Sequence, residues 1–190
     1  MAVNPGDRDS RGDCSRISNT GESWAEPQYA DDVPTDAEGE IPYGSSDLSR
    51  ILQQVRMEAG EDAENGGMSP AKVLARAKTG TNYLAVETTD EAGGTNVTAW
   101  KSIMFKGHSE KLFGLGASDA GVDMSQVTRL YSEFEPCQLP GAYCANLLAR
   151  ILPEGTKVTW SWEYGDAASR VAGRAAKADD LAEVFDDMFE

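Results

Sequence analysis

Apolar residues are scattered over the first quarter of the chain and then begin to recur at helical spacing. Residues 1–45 are rich in Asp, Ser, Gly and Pro, so they bury too little apolar surface to offset the entropy of ordering, and we predict a disordered acidic tail there. Ser46 then precedes an apolar stripe at spacings of three and four, which predicts a serine-capped amphipathic helix. Its apolar positions are Leu48, Ile51, Leu52 and Val55. We expect this helix to end before Gly60, with an acidic loop completing residues 46–68.

The periodicity then changes from helical to alternating. Ser69 and Pro70 are typical of a helix start, with a capping residue followed by proline at the first helical position. They predict a second helix that ends near Gly80. Residues 82–88 and 96–104 are rich in Val, Thr, Tyr and Trp, and the segment between them contains two glycines. These features predict two antiparallel strands joined as a hairpin.

Strands and helices alternate over the second half of the chain. Residues 127–134 and 157–164 are β-rich, and a helical segment at 145–151 separates them. Residues 166–188 predict a packed terminal helix that is capped by its first residue. The apolar stripe of that helix contains Val171, Ala175, Ala178, Leu181, Phe185 and Met188. The alternation predicts an α/β sandwich over residues 69–190.

The charge of the chain narrows the classes of partner. The formal net charge is -15, and residues 1–65 carry 15 acidic against 5 basic residues, which leaves 17 against 12 for the remainder. Binding to duplex DNA is driven by the release of counterions from the DNA when basic side chains neutralise its phosphates. The excess of acidic residues therefore argues against tight nonspecific DNA binding. Any contact with a nucleic acid must therefore come from a local basic surface.

Targeting and redox features point to a reducing compartment. No charged-then-apolar signal segment opens the chain, and no run approaches the ~20 apolar residues that a membrane span requires. Three cysteines, with Cys14 isolated in the tail, do not form a disulfide framework. We expect a cytoplasmic protein without membrane contact, or a module of an exported effector that acts in the cytoplasm of a target cell.

One group of residues carries candidate chemistry. His108 is the only histidine and stands two residues before Glu110, while Cys137 and Cys144 follow the strand predicted at 127–134. Zinc deaminases hold their metal with one His and two Cys, and a Glu two residues after the His is their general acid and base. We therefore predict a Zn²⁺ site held by His108, Cys137 and Cys144. Glu110 is predicted to be the catalytic residue and not a ligand.

Two simpler interpretations of the same residues stay open. Six residues separate Cys137 from Cys144, whereas the common deaminase spacing is two. The two cysteines are alternatively ordinary core residues, because free Cys is among the residue types most often buried. A metal at this place is alternatively structural, although closed structural sites normally use four protein ligands and the sequence offers three nearby.

These residues resemble a known family. The segments 108–110, 131–137 and 158–165, together with Cys144 after a Pro-Gly pair, are similar to the nucleic acid/nucleotide deaminase superfamily. The similarity covers about residues 70–166 and is closest to the bacterial members found in polymorphic toxin systems, some of which share the wide cysteine spacing. The resemblance implies a cytidine-deaminase-like fold, which is a three-layer α/β/α sandwich with a mixed central sheet. It also implies the zinc ligands and the general acid and base given above.

Polar and aromatic residues are candidates for binding the substrate. The set is Asn82, Tyr131, Tyr143 and Trp162. Trp162 alternates with Trp160 and Tyr164 along one predicted strand, so we expect the three rings to share a face. A ring on that face stacks on a target base or, alternatively, fills the core.

Basic residues flank the metal motif in sequence. They are Lys101, Lys106, Lys111 and Arg129. They either contact a phosphate of the substrate or are solvated surface residues.

The sequence predicts a zinc-dependent deaminase that converts cytosine to uracil. Single-stranded or locally opened DNA is the favoured substrate, with RNA as an alternative polymer. A second interpretation keeps the chemistry and makes the substrate a free nucleoside or nucleotide. A third is an acidic interaction protein without catalysis, which would bind no zinc. The toxin-type resemblance adds an immunity protein as an expected partner.

Overall fold

A five-stranded sheet and the helices on its two faces form the computed structural model, which describes residues 36–65, 69, 71–72, 75, 78, 80–138 and 142–189. The strands are β1 (Asp36–Glu40), β2 (Tyr83–Thr89), β3 (Thr95–Lys101), β4 (Val127–Phe134) and β5 (Lys157–Trp162). The helices with described bounds are α1 (Asp47–Asn65), α2 (Ser109–Gly116), α3 (Cys144–Ile151) and α4 (Ser169–Phe189). The second predicted helix, between Ser69 and Gly80, falls mostly on residues outside the described part.

The sheet is mixed, with the strand order β1-β5-β4-β2-β3. β2 is antiparallel to both β3 and β4, whereas β5 is parallel to β4 and β1. The predicted hairpin is confirmed, since Tyr83 pairs with Lys101 at one end and Thr89 with Thr95 at the other. It follows from these directions that β3, β4 and β5 all have their carboxyl ends at one edge of the sheet.

Helices cover both faces of the sheet, so the predicted α/β/α sandwich is confirmed. Alternate residues of a strand point to opposite faces. Leu84, Val86 and Trp100 face α2 and α3, whereas Ala85 and Val97 face α1. α4 packs through Leu181 and Phe185 on Phe134 and Trp162, and Met57 of α1 joins that cluster.

The first strand lies where the sequence predicts a tail. β1 pairs in parallel with β5, with Asp36 opposite Lys157 and Glu40 opposite Trp160. Its sequence, Asp-Ala-Glu-Gly-Glu, has no apolar alternation, so the backbone of β5 supplies the pairing that hydropathy does not predict. The predicted tail is therefore wrong for residues 36–40, and residues 1–35 lie outside the described part.

Two helices differ from their predicted form. α1 continues through Gly60 to Asn65, because Glu and Ala on both sides are strong helix formers and one glycine costs only about 1 kcal/mol. In α4 the predicted apolar stripe is wrong in its first half, where Val171 is exposed. The buried positions there are Gly173 and Lys177.

Close packing and a buried charge explain the face that α4 buries. A Cβ atom at Gly173 would overlap the carbonyl oxygen of Glu163, so only glycine allows this approach of helix and chain. Lys177 is buried because its Nζ donates hydrogen bonds to Glu133 Oε2 at 2.8 Å and to the Thr81 carbonyl at 2.9 Å. Neither residue adds to a hydrophobic pattern, so the apolar periodicity predicts the wrong face of α4 as the buried one.

The three alternating rings do not share one cluster. Trp160 packs against the cluster beneath α2 and α3. Trp162 and Tyr164 both pack in the cluster that contains Leu181 and Phe185 of α4, although Tyr164 lies beyond the end of β5. Among the described residues, no helix has both the length and the apolar character needed to cross a bilayer.

Candidate active site

The predicted metal ligands meet at the edge of the sheet where β3, β4 and β5 end. Cys137 follows β4 by three residues, and Cys144 is the first residue of α3. His108 precedes α2 with an extended backbone, at φ -71° and ψ 156°. Because His108 is not helical, its side chain and that of Glu110 in the first turn of α2 reach the same place. The sequence alone left this geometry open.

The three ligand atoms form one compact group. His108 Nδ1 lies 3.4 Å from Cys137 Sγ and 3.3 Å from Cys144 Sγ, and all three atoms lie within 4.8 Å of one another. Both cysteines are buried and reduced, whereas His108 is half-buried. The predicted convergence of these residues from three segments is what the structure contains.

Hydrogen bonds within this group shift the pKa values of its members. The Cys144 thiol, followed by His108, lowers the pKa of Cys137 to about 4 against the effect of burial. The hydrogen bond to Cys137 and burial raise the pKa of Cys144. The pKa of His108 is raised, chiefly because its ring bonds to Cys137. Cys137 therefore ionises readily, and the thiolate is the form of Cys that binds a metal ion.

The group fits a tetrahedral metal ion. Zinc binds Cys sulfur at ~2.3 Å and His nitrogen at ~2.0–2.1 Å, so in tetrahedral geometry the sulfur and nitrogen are about 3.6 Å apart. The observed separations of 3.3 and 3.4 Å are close to this. Within the described residues the group offers three protein ligands, the number found in catalytic zinc sites, which keep the fourth position open.

Glu110 lies buried beside the metal-binding group and outside it. The residue is 2 % exposed, and Ser109 Oγ lies 3.0 Å from its Oε2 as hydrogen-bond donor. Burial, followed by the charge of Cys137, raises the pKa of Glu110. A carboxyl group with a raised pKa exchanges protons nearer to neutral pH, as a general acid and base requires.

A cavity of about 150 Å³ opens at this edge of the sheet. Its lining combines two members of the metal-binding group with residues near the start of β2 and near the ends of β3, β4 and β5. The lining residues are Gly80, Thr81, Asn82, Ser102, His108, Glu110, Phe134, Glu135, Cys137 and Tyr164. A volume of ~150 Å³ is enough for one ring the size of benzene.

Of the predicted substrate residues, Asn82 lines the cavity. Its Nδ2 donates to Ser109 Oγ at 2.8 Å and to Ser132 Oγ at 3.1 Å, and its Oδ1 accepts from the Phe134 amide at 2.9 Å. Asn82 therefore fixes the start of α2 relative to β4. Tyr143, in a left-handed conformation before α3, is half-buried and outside the cavity lining.

Tyr131 and Trp162 lie away from the cavity. Tyr131 is fully buried on the face toward α1, and its hydroxyl lies 2.7 Å from Ser161 Oγ. Trp162 is buried, and its Nε1 donates to Asp180 Oδ2 of α4 at 2.7 Å. The structure thus brings one of the four predicted substrate residues into the cavity.

Tyr164, the last of the three alternating rings, lines the cavity, and so does Glu135, which was not predicted. Glu135 Oε2 accepts from the Tyr164 amide at 3.0 Å and from the Gly165 amide at 2.6 Å, which fixes the chain after β5. The rings of Tyr164 and Phe134 are 4.6 Å apart between centroids. The signal available in the sequence was the position of Glu135 directly before the Pro-Cys pair.

Two of the four predicted basic residues lie at the site and two do not. Arg129 is bound by Asp47 and Glu87, far along β4 from the metal-binding group, whereas Lys106 and Lys111 line a second cavity with His108. Lys101 ends β3. The unpredicted cations belong to α4 and surround Tyr164.

Two arginines lie over the ring of Tyr164 at the rim of the cavity. The guanidinium carbons of Arg170 and Arg174 are 5.7 and 5.6 Å from the ring centroid, and Arg174 Nη2 donates to the Tyr164 hydroxyl at 2.8 Å. Neither arginine forms an ion pair with a described residue, whereas Arg56, Lys78, Arg129 and Lys177 do. These two arginines are cations at the rim of the cavity in an acidic chain.

A His-Cys-Cys group beside a buried glutamate, at the strand ends of an α/β/α sandwich, is typical of nucleobase deaminases. A family model described as Xanthomonas-like deaminase matches residues 79–183, which is more than half of the chain. The chain therefore belongs to the Xanthomonas-like deaminase family, and the prediction of a deaminase is confirmed. No curated protein and no solved structure matches the chain.

Proposed function

We propose that this protein is a zinc-dependent hydrolytic deaminase that converts cytosine to uracil in single-stranded or locally opened DNA. The observation that carries the proposal is the compact group of His108, Cys137 and Cys144, of which His108 and Cys137 line one small cavity together with the buried Glu110. The size of the cavity favours a pyrimidine over a purine. The basic rim of Arg170 and Arg174 favours a substrate that carries phosphate.

The chain's own residues supply binding and proton transfer in this proposal. His108 and the two cysteines would hold the zinc ion, which when bound would supply a Lewis acid. Glu110 accepts a proton from the attacking water and delivers it to the ring and the departing amine. Oxygen replaces the amino group at C4, and ammonia leaves. Ser109 keeps the Glu110 carboxylate aimed into the cavity through its hydrogen bond.

Metal content is the first measurable consequence. The protein purified under reducing conditions should hold about one zinc per chain, and Cys144→Ser should lose most of it, because two ligands seldom retain a tetrahedral zinc. Elemental analysis by mass spectrometry measures the ratio. Cys14→Ser is the matched control, since it removes the one cysteine outside the site and should leave the ratio unchanged. Equal zinc in all three proteins would contradict the assigned ligands.

The substrate is tested by offering the zinc-loaded protein single-stranded DNA, duplex DNA, RNA and free nucleosides, and by measuring uracil and inosine products by mass spectrometry. Uracil from single-stranded DNA at the highest rate is the expected result. Product from free nucleosides alone would replace the proposal with nucleotide metabolism, which the net charge of -15 favours. A zinc-free protein with no product would favour an acidic interaction protein.

We further propose that the protein acts as an effector on the nucleic acid of a target cell and is neutralised by an immunity protein. The toxin-type resemblance of the motifs supports this role. Expression in a bacterial host that lacks uracil excision should then raise C-to-T mutations, whereas expression of Glu110→Ala should not. An unchanged mutation spectrum with active protein would contradict the role.

A further inference from the structure

The turn between β3 and α2 carries an exposed apolar tip. Among the described residues three large hydrophobic side chains are exposed, and two of them, Met104 at 80 % and Phe105 at 101 %, are neighbours at this tip. The third, Val171, stands alone on α4. Single exposed apolar residues are ordinary on protein surfaces, whereas a contiguous apolar patch marks an interaction site.

The backbone holds Phe105 outward in a strained conformation. Its φ of +64° is a left-handed value that side chains other than those of Gly and Asn rarely adopt. Three backbone hydrogen bonds close the turn: Ile103 N to Gly107 O at 3.1 Å, Gly107 N to Ile103 O at 3.1 Å, and Lys106 N to Ile103 O at 3.0 Å. A fixed turn that keeps a strained residue and exposes its ring is typical of a functional position.

Residues at both ends of this turn line the site. Ser102, at its start, lines the cavity that contains Glu110, and Gly107, at its end, precedes the ligand His108. Lys106 lines the adjoining cavity together with His108 and Lys111. The turn that carries Phe105 therefore adjoins both cavities, and two lysines lie at the second one.

We propose that Phe105 stacks on the nucleotide next to the target base and thereby selects a nucleic acid strand over a free nucleoside. This inference rests on the proposed function. Aromatic side chains bind successive bases of single strands in a sequence-tolerant way, because every base has a π-face. Lys106 and Lys111 contribute attraction to the phosphates that flank the stacked nucleotide.

The test compares wild-type protein with Phe105→Gly on a single-stranded oligonucleotide that contains one cytosine. If RNA proves to be the better polymer in the substrate screen, the same design uses RNA. Two further oligonucleotides carry an abasic sugar on the 5′ or the 3′ side of the cytosine. Removal of a base–aromatic stack should lower kcat/KM about tenfold. We expect this loss in Phe105→Gly on the intact strand, and in the wild type on one of the abasic strands.

The two tenfold losses should not add when the ring of Phe105 and the neighbouring base are both absent. Phe105→Gly should therefore treat the intact strand and that abasic strand alike. Glycine accepts the positive φ without strain, so the melting temperature of the variant should not fall. Val171→Ala is the matched control, because it truncates the other exposed apolar residue and should leave kcat/KM and its base dependence unchanged.

A second readout does not depend on turnover. In the Glu110→Ala background, a 2-aminopurine beside the cytosine should lose fluorescence on binding when Phe105 is present and should lose less with Phe105→Gly. Equal losses of activity by the variant on all strands, or equal quenching, would overturn the stacking role. Wild-type protein that holds zinc and deaminates no polymer would overturn the proposed function instead.

Discussion

Replacing Glu110 by Gln should lower kcat by about 10²- to 10⁴-fold while the zinc content stays at one ion per chain. The range is that of a positioned general acid and base, and it corresponds to roughly 3 to 5 kcal/mol of transition-state stabilisation. Glutamine keeps the shape of the side chain and an oxygen that accepts from Ser109, so the cavity should keep its form. It cannot carry the proton between water and amine.

Rates of uracil formation and elemental analysis of the same preparation measure the two parts of this expectation. The matched control is Glu135→Gln, which changes a carboxylate in the same cavity that already accepts two backbone amides. Its effect should be smaller than that of Glu110→Gln, since it positions the chain and moves no proton. A Glu110→Gln protein that loses zinc would make Glu110 a ligand, and one that keeps full activity would remove it from the mechanism.

Replacing Glu133 by Gln should lower the free energy of unfolding by about 3 to 5 kcal/mol, the range for removing one partner of a buried ion pair. Glu133 is fully buried and binds Arg56 Nε at 2.5 Å, Arg56 Nη2 at 2.6 Å and Lys177 Nζ at 2.8 Å. Its Oε2 also accepts from the Tyr83 amide at 2.9 Å. Glutamine would leave two cations buried without a counter-charge.

The pKa values of this network indicate which of the two cations binds Glu133 more strongly. Burial raises the pKa of Glu133, but Arg56 and Lys177 outweigh it and hold that pKa below its usual value. Burial lowers the pKa of Lys177 to about 8, so Lys177 is the weaker partner. Lys177→Met should therefore cost less than Glu133→Gln, because the two hydrogen bonds from Arg56 to Glu133 remain.

Urea unfolding followed by tryptophan fluorescence measures these changes in stability. Asp186→Asn is the control, because Asp186 pairs with Lys78 at an exposed position where an ion pair contributes at most ~1 kcal/mol. A loss under 1 kcal/mol for Glu133→Gln would contradict the assigned importance of the network.

The sequence predicted the metal-binding group because its members are rare residue types with fixed chemistry. His108 is the single histidine, and the two cysteines stand near the ends of predicted elements. The sheet was predicted nearly as well, because Val127–Phe134 and Tyr83–Thr89 are dense in β-branched and aromatic residues. Local composition is sufficient for such features.

Features that depend on long-range contacts were missed. Lys177 looks like a surface residue in its helix and is buried only because Glu133 lies 44 positions away in sequence and next to it in space. β1 forms because β5 has an edge with which it pairs, and the sequence of residues 36–40 does not itself predict a strand. Tyr131 and Trp162 were predicted to bind the substrate, because sequence alone does not distinguish an aromatic residue of the core from one that lines a pocket.

The elements that precede β2 determine where a shortened form of this protein must begin. The matched family region begins at residue 79, yet β1 and α1 precede it and complete the fold. A fragment cut at residue 79 would expose the hydrogen-bonding edge of β5, which invites intermolecular strand pairing. It would also remove Arg56 from Glu133 and uncover the apolar face beneath α1. A fragment that keeps the whole fold must therefore include β1 and begin no later than residue 36.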